Sequence, residues 1–312
     1  MTLRLTVDAA AWNAHVERTA RSLPGLVPVV KGNGYGFGRA ALGAVAAELS
    51  TTIAVGTVHE LDHVPAGVDV AVLTPTRRAP VEPSPILTVG SLDHVAALAG
   101  WRGRVIVKLA SSVRRFGATR ELLGPLTAAV RTAGLDVVAF GVHPPVAGSD
   151  DEHLDEIASW LDVLEPGDEV WVSHVSAAAY RALRDAWPER RFRIRAGTAL
   201  WHGDKAALHL GADVLDVQPV CAGERAGYRQ ASVPDDGTLV MVGAGTAHGV
   251  HALDDGRSPL HFRRRRIALH EPPHMHTSMA FVPAGETVPR PGDIVDVQRP
   301  LISTLPDEVR WR

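Results

Sequence analysis

The sequence predicts an α/β fold, a (β/α)8 barrel of the TIM type over residues 1–210 followed by a smaller all-β domain over residues 211–312. Three observations predict it. Eight short apolar runs, many rich in Val or Ile, alternate with amphipathic helical stretches up to about residue 210, which is the pattern of β/α units around a parallel sheet. After Gly211 the helical periodicity fades, and short strand-like runs follow one another between Pro and Gly turns such as VPDDG and VPRPGD. A chain of 312 residues, 46% hydrophobic and 21% charged, can bury one large core with a smaller companion and is not disordered.

The eight runs lie at 27–31 (VPVVK), 52–57, 69–73, 86–89, 104–109 (RVIVKL), 136–142, 169–174 (EVWVSH) and 192–195 (FRIR). Helices are expected between them at 38–49, 59–64, 91–99, 119–133, 152–164, 176–186 and 203–210, several opening on Asp or Ser near the N-cap position. The all-β segment should hold strands at 213–219, 238–242, 266–269, 279–282 and 294–297. The opening run LRLTV, centred on residues 3–7, precedes the first barrel unit and is a candidate partner for that C-terminal sheet.

Composition excludes several functions. With 32 basic and 35 acidic residues the formal charge is -3, so no global field favours nucleic acid or an anionic membrane. No apolar run approaches the ~20 residues of a membrane span, and the N-terminus has no apolar leader, which points to a cytoplasmic chain. The single cysteine, Cys221, builds neither a disulfide nor a thiolate metal site on its own. The RRRR run at 263–266 reads as a solvated face. His270, His274 and His276 in HEPPHMHTS are close enough in sequence to consider zinc, but the segment reads as a loop, and no metal is assigned.

Chemistry is expected where polar residues end apolar strands, because a barrel interior has no use for them. Five strands supply one: Lys31, Lys108, His143, His174 and Arg195. If the barrel closes, all five point into one cationic mouth sized for a phosphorylated cofactor. Lys31 is followed by a glycine-rich turn, Gly32 to Gly38, that lets backbone approach a ligand. The spacing is not that of a dinucleotide-binding GxGxxG turn. A partly desolvated lysine at such a place suits Schiff-base formation, because loss of solvation frees the neutral amine.

At these residues the chain resembles the alanine racemase family. VVKGNGYGFG is similar to that family's pyridoxal-phosphate lysine motif, and LTVDAAAWNAHVERT, VIVKLASSVRRFG, GVHPP, SHVSAA, RIRAGTALWHG, AGERAGYRQ and SMAFV with PGDIVDV follow in the family's order. The resemblance implies a pyridoxal 5′-phosphate enzyme acting on a small-molecule amino acid. It makes Lys31 the Schiff-base lysine and one acid/base, with Tyr35 beside it. It places Arg195 at the pyridine nitrogen, Gly197, Thr198 and Ser176 at the phosphate, and His143 and His174 beside the ring. Arg115 and Lys108 would face the substrate, with Lys108 at the position often carbamylated, and Met279 would line the substrate site. Tyr228 would be the opposing acid/base, contributed by the partner subunit of a homodimer.

Inverting an α-carbon needs acid/base groups on both faces of a planar carbanion, since a single group returns the proton to the face it left. An unperturbed tyrosine has a pKa of ~10 and needs neighbouring cations such as Arg195, Lys108 and Arg115 to act near neutrality. An arginine at the pyridine nitrogen limits carbanion delocalisation, which disfavours the alternative of a lyase or decarboxylase on the same barrel. A second alternative, a pyridoxal-phosphate-binding protein without turnover, would not need the all-β domain. The departures from the family cluster at the substrate: Ala110-Ser111-Ser112-Val113 replaces an Asp-Thr-Gly-Met run, Thr246 a tyrosine, and Ala280 an aspartate. A wider, less polar entrance follows, with room for a side chain larger than alanine's methyl.

Overall fold

The computed structural model describes residues 2–81 and 84–312. Two compact units emerge: one takes in Ala14–Gly34 and Gly38–Gly203, and the other joins the chain up to Asn13 with Tyr35–Phe37 and Asp204–Arg312.

The first unit is built on eight parallel strands, Leu26–Pro28, Thr52–Val55, Asp69–Val72, Ile86–Val89, Arg104–Lys108, Asp136–Gly141, Glu169–Ser173 and Arg191–Ala196. From Thr52–Val55 onward each strand pairs with the next in sequence, and the last pairs with the first through Leu26 opposite Ile194. A parallel bridge between Val29 and Ala54 completes the near-closed barrel, helped by a 2.7 Å hydrogen bond from Val30 N to Ala54 O. Val27, Val29, Ala54, Ala71, Ile86, Ile106, Ala139 and Trp171 form one buried cluster drawn from seven of the strands. The eighth strand contributes Arg193, whose guanidinium lies 5.2 Å from the Trp171 ring centroid and donates to Thr52 Oγ1 at 2.9 Å. Small residues on several strands leave room for this Trp–Arg stack, as a filled barrel interior requires.

Local chemistry accounts for the helix starts. Ser149 and Glu152 form a reciprocal capping box on Asp150–Leu161, Ser176 caps Ala177–Ala186, and Ser91 caps Leu92–Ala96. Two expected helices differ from expectation. The stretch at 59–64 is a 3-10 helix, Val58–His63, and the one at 203–210 is a single 3-10 turn, Lys205–Ala207, that runs straight into a strand. Leu208–Val220 alternates apolar and polar residues in the two-residue period of a half-buried strand, which overrides the weaker helical signal ahead of it.

That long strand organises the second unit. Its first half pairs with Leu3–Val7 and Ile294–Val297, and after an irregularity between Val214 and Asp216 its second half pairs with Gly237–Val242. Leu3–Val7 also pairs in parallel with Glu308–Trp311. The expected strand at 266–269 is two short pieces, Arg265–Arg266 and Ala268–Leu269, on different neighbours. Arg263 and Arg264 form the exposed tip of the hairpin between Leu260–Phe262 and Arg265–Arg266. Val233, Leu239 and Phe281 make a buried cluster, while Trp12, Phe37 and Trp311 meet with ring centroids 5.1 to 5.8 Å apart.

Candidate active site

Strand alternation sets the mouth of the barrel. Residues two apart share a face, so the buried Val27 and Val29 lead to Lys31, Ile106 to Lys108, Ala139 to His143, Trp171 to Ser173, and Arg193 to Arg195.

Beyond Lys31 the chain turns sharply. Gly34 N donates to Lys31 O at 3.1 Å, and Gly34 takes φ of 64°, where a Cβ would lie 2.5 Å from Arg39 N. Glu60 ties this turn to the neighbouring strand end: its Oε1 accepts from Gly32 N at 3.1 Å and its Oε2 from Gly56 N at 2.7 Å. Arg39 Nη1 donates to Gly32 O at 2.7 Å. Lys31 is open enough to solvent for a ligand to reach it. The enclosing walls, then Arg115 and Arg195, nevertheless hold its ammonium below the usual lysine value, with Glu60 pulling the other way.

Lys108 is buried, and its Nζ donates to Leu109 O at 2.8 Å. Burial, followed by Arg195 and Arg115, pushes it down to about 7. The next residues leave the strand and return, with Ala118 N bonding Lys108 O at 2.8 Å, so that 110–117 is a closed loop carrying Arg115. Glu156 anchors the loop by accepting from Ser112 N at 2.5 Å and Ser112 Oγ at 3.0 Å, and Trp160 Nε1 donates to Ala110 O at 2.9 Å.

His143 and His174 lie with ring centroids 4.5 Å apart. Burial and the surrounding cations, Arg195 first, drive His143 down to about 2, so its ring is neutral. His174 takes φ of 62°, and its Nδ1 sits 2.9 Å from Pro144 O and 3.2 Å from Pro145 O; carbonyls only accept, so this nitrogen bears the hydrogen. His153 secures the same region, reaching His174 O at 2.8 Å and Ala147 O at 3.1 Å. Arg195 Nη2 donates to Val142 O at 2.7 Å, while its buried Nε has no hydrogen-bond partner among the described residues. Burial and then Arg115 lower this guanidinium to about 10, which leaves it charged at neutral pH.

Ser176 and Gly197 stand just past the last two barrel strands. Ser176 N donates to Asp150 Oδ1 at 2.9 Å and its Oγ accepts from Ala179 N, while Gly197 precedes the short helix Thr198–Trp201. The barrel unit thus holds Lys31, Lys108, Arg115, His143, His174, Ser176, Arg195, Gly197 and Thr198, and the β-rich unit holds Tyr35, Tyr228 and Met279. Tyr35 is buried with φ of 56°, and Met279 packs against the Val233, Leu239 and Phe281 cluster. Tyr228 is 87% exposed on a turn. In the histidine-rich segment, His274 Nε2 pairs with the buried Glu271. Among the described residues no three His, Cys, Asp or Glu side chains are grouped to hold a metal.

Glu60, Glu156, His153 and Glu271 were not marked by the sequence reading. Each reaches at least one backbone amide or carbonyl twenty or more residues away, Gly32, Ser112, His174 and Tyr228 in turn, and no local spacing signals such a contact.

The family model for the N-terminal domain of alanine racemase matches residues 7–204. The chain belongs to the alanine racemase family. A search of curated proteins gives no match. Among solved structures, the chain is similar to alanine racemase from Bartonella henselae with covalently bound pyridoxal phosphate, at TM-score 0.74 and 18% identity over 99% of both chains. It is also similar to the biosynthetic alanine racemase of Pseudomonas aeruginosa, at 0.71 and 20% over 100% of this chain and 99% of that one. For the Bacillus anthracis alanine racemase with bound L-Ala-P the values are 0.73 and 19%, over 95% and 85%. Identities this low establish the racemase-like fold, a barrel with a β-rich companion, and leave chemistry to the residues. No helix among the described residues is long and apolar enough to cross a membrane.

Proposed function

We propose that this member of the alanine racemase family is a pyridoxal 5′-phosphate-dependent amino-acid racemase, working as a homodimer with Lys31 and Tyr228 on opposite faces of the substrate. One observation carries the reading: Lys31, Lys108 and Arg195 all stand at the same end of the parallel strands of the near-closed barrel, and Arg115 lies on the loop that Ala118 N closes back onto Lys108 O. Packed cations of this kind call for an anionic ligand. The residues fit the cofactor, since Arg195 offers a buried Nε in need of an acceptor, as an unprotonated pyridine nitrogen would be.

Bound pyridoxal phosphate supplies an aldehyde that condenses with amines and a ring that takes up the electron pair left by a departing α-proton. Lys31, whose ammonium is destabilised by its surroundings and by the two arginines, would give up its proton more readily at Nζ and then carry a proton to or from one face. Arg195, still charged at neutral pH, would hold the ring nitrogen without protonating it. His143 and His174 would border the ring, and Ser176, Gly197 and Thr198 would hold the phosphate. Arg115 would take the substrate carboxylate, with Lys108 behind it. Tyr228 of the partner subunit would exchange the proton on the far face, which a C2 dimer would permit. Ala110, Ser111, Val113 and Thr246, which stand where the family has larger or acidic residues, would favour substrates bulkier than alanine.

The test is incubation of the loaded protein with single enantiomers of several amino acids in deuterated water, followed by chiral chromatography. Both enantiomers should appear with solvent deuterium at the α-carbon, and Lys31→Ala should lose both the visible cofactor band and turnover. Exchange without inversion would contradict the two-face assignment, and turnover of alanine alone would contradict the wider entrance.

A further inference from the structure

Tyr228 sits on a turn whose underside is occupied by a single carboxylate. Glu271 Oε1 accepts from Tyr228 N at 2.9 Å, its Oε2 accepts from Arg229 N at 3.0 Å, and His274 Nε2 pairs with Oε1. The Glu271 side chain is 2% exposed, so these donors replace water around a buried charge. Gly227, at φ of 80°, makes this possible: a Cβ there would fall 2.2 Å from Oε1. The imidazole held by that carboxylate lies against the Tyr228 ring, with centroids 4.5 Å apart. Further contacts complete the support. Arg225 Nη1 donates to Gln230 O at 3.0 Å, Gln230 N to Gly227 O at 3.2 Å, and His270 Nε2 is 3.3 Å from Ala226 O.

We propose that Glu271 and His274 are positioning residues for Tyr228, the carboxylate fixing the backbone on which the phenol stands and the imidazole fixing the plane of its ring. The proposal rests on the reading of Tyr228 as the second acid/base. It explains why a side chain so exposed lies in one defined direction: its backbone amide and one ring face are both engaged, while its hydroxyl end stays open. It also gives the histidine-rich segment a role other than metal binding. A base that must meet an α-hydrogen within hydrogen-bond reach loses rate steeply when its direction is not set.

Two independent measurements test this. The chain has three tyrosines, and Tyr35 and Tyr180 are buried, so tyrosine-labelled protein gives few and separable magnetic resonance signals. In Glu271→Gln the Tyr228 amide should move upfield, and in His274→Ala its ring signals should lose their ring-current shift, while those of Tyr35 and Tyr180 stay in place. In the holoenzyme, kcat should fall about tenfold or more in both variants with KM within about twofold, and Glu271→Asp should restore part of the loss. Unmoved Tyr228 signals in both variants would overturn the pair. So would moved signals with unchanged racemisation while Tyr228→Phe is inactive. Full activity of Tyr228→Phe would instead overturn the acid/base reading, and with it the positioning role in catalysis.

Discussion

Ser173 Oγ lies 2.6 Å from His143 Nδ1 and 3.4 Å from Arg195 Nη2, so one buried hydroxyl stands between a neutral ring and a fixed cation. His143, held at about 2, does not compete with Arg195 for charge at any working pH. Ser173→Ala should therefore leave the fold intact but let the guanidinium drift. Pyridoxal phosphate affinity should fall roughly three- to tenfold, a loss of the size of one ordinary hydrogen bond. Titration of the apoprotein by visible absorbance checks this, and unchanged affinity would remove Ser173 from the account.

Glu60 is the acid that raises Lys31 against the arginines that lower it. Replacing it by Gln should shift the proton loss of Lys31 to lower pH, and Arg115→Met should shift it to higher pH. The rate at which an amine-reactive reagent labels Lys31 in the apoprotein, followed by mass spectrometry across pH, reports both. Shifts in the same direction would contradict the assignment. Glu60→Ala should in addition cost about 2 kcal/mol by freeing two strand-end amides.

Lys108 links the site to stability. Its folded value of about 7 lies below the ~10.4 of an unfolded lysine, so between these limits the unfolded chain binds more protons and stability rises with pH. Below about 7 the cost of burial is felt in full. Lys108→Met should stabilise the apoprotein by on the order of 3 kcal/mol at about pH 7, with the advantage shrinking toward about pH 10. Thermal unfolding at fixed protein concentration measures it; an advantage independent of pH would show that Lys108 is not desolvated as described.

The barrel was legible because each strand is a short apolar run and five of them end on a polar residue, and VPVVK and RVIVK already marked Lys31 and Lys108. The long strand Leu208–Val220 was partly hidden because its first residues also fit a helical stretch, and its pairing with Leu3–Val7 is set by tertiary contacts about two hundred residues apart. The same reason hid Glu60, Glu156 and Glu271. Their carboxylates serve backbone amides of distant turns, and a glutamate on a loop or a short helix looks like any solvated one in sequence. Met279, expected at the substrate on resemblance, has its side chain against an apolar cluster, which the alternation of Ser278–Pro283 already implies.

The shared-site assignment predicts complementation. Lys31→Ala and Tyr228→Phe homodimers should each be inactive, because each lacks one face in both sites. A heterodimer of the two, purified through a different tag on each subunit, should hold one complete site and one lacking both groups, and recover about half the activity of the wild-type dimer. A purified heterodimer as inactive as its parents would contradict the placing of Lys31 and Tyr228 across the dimer.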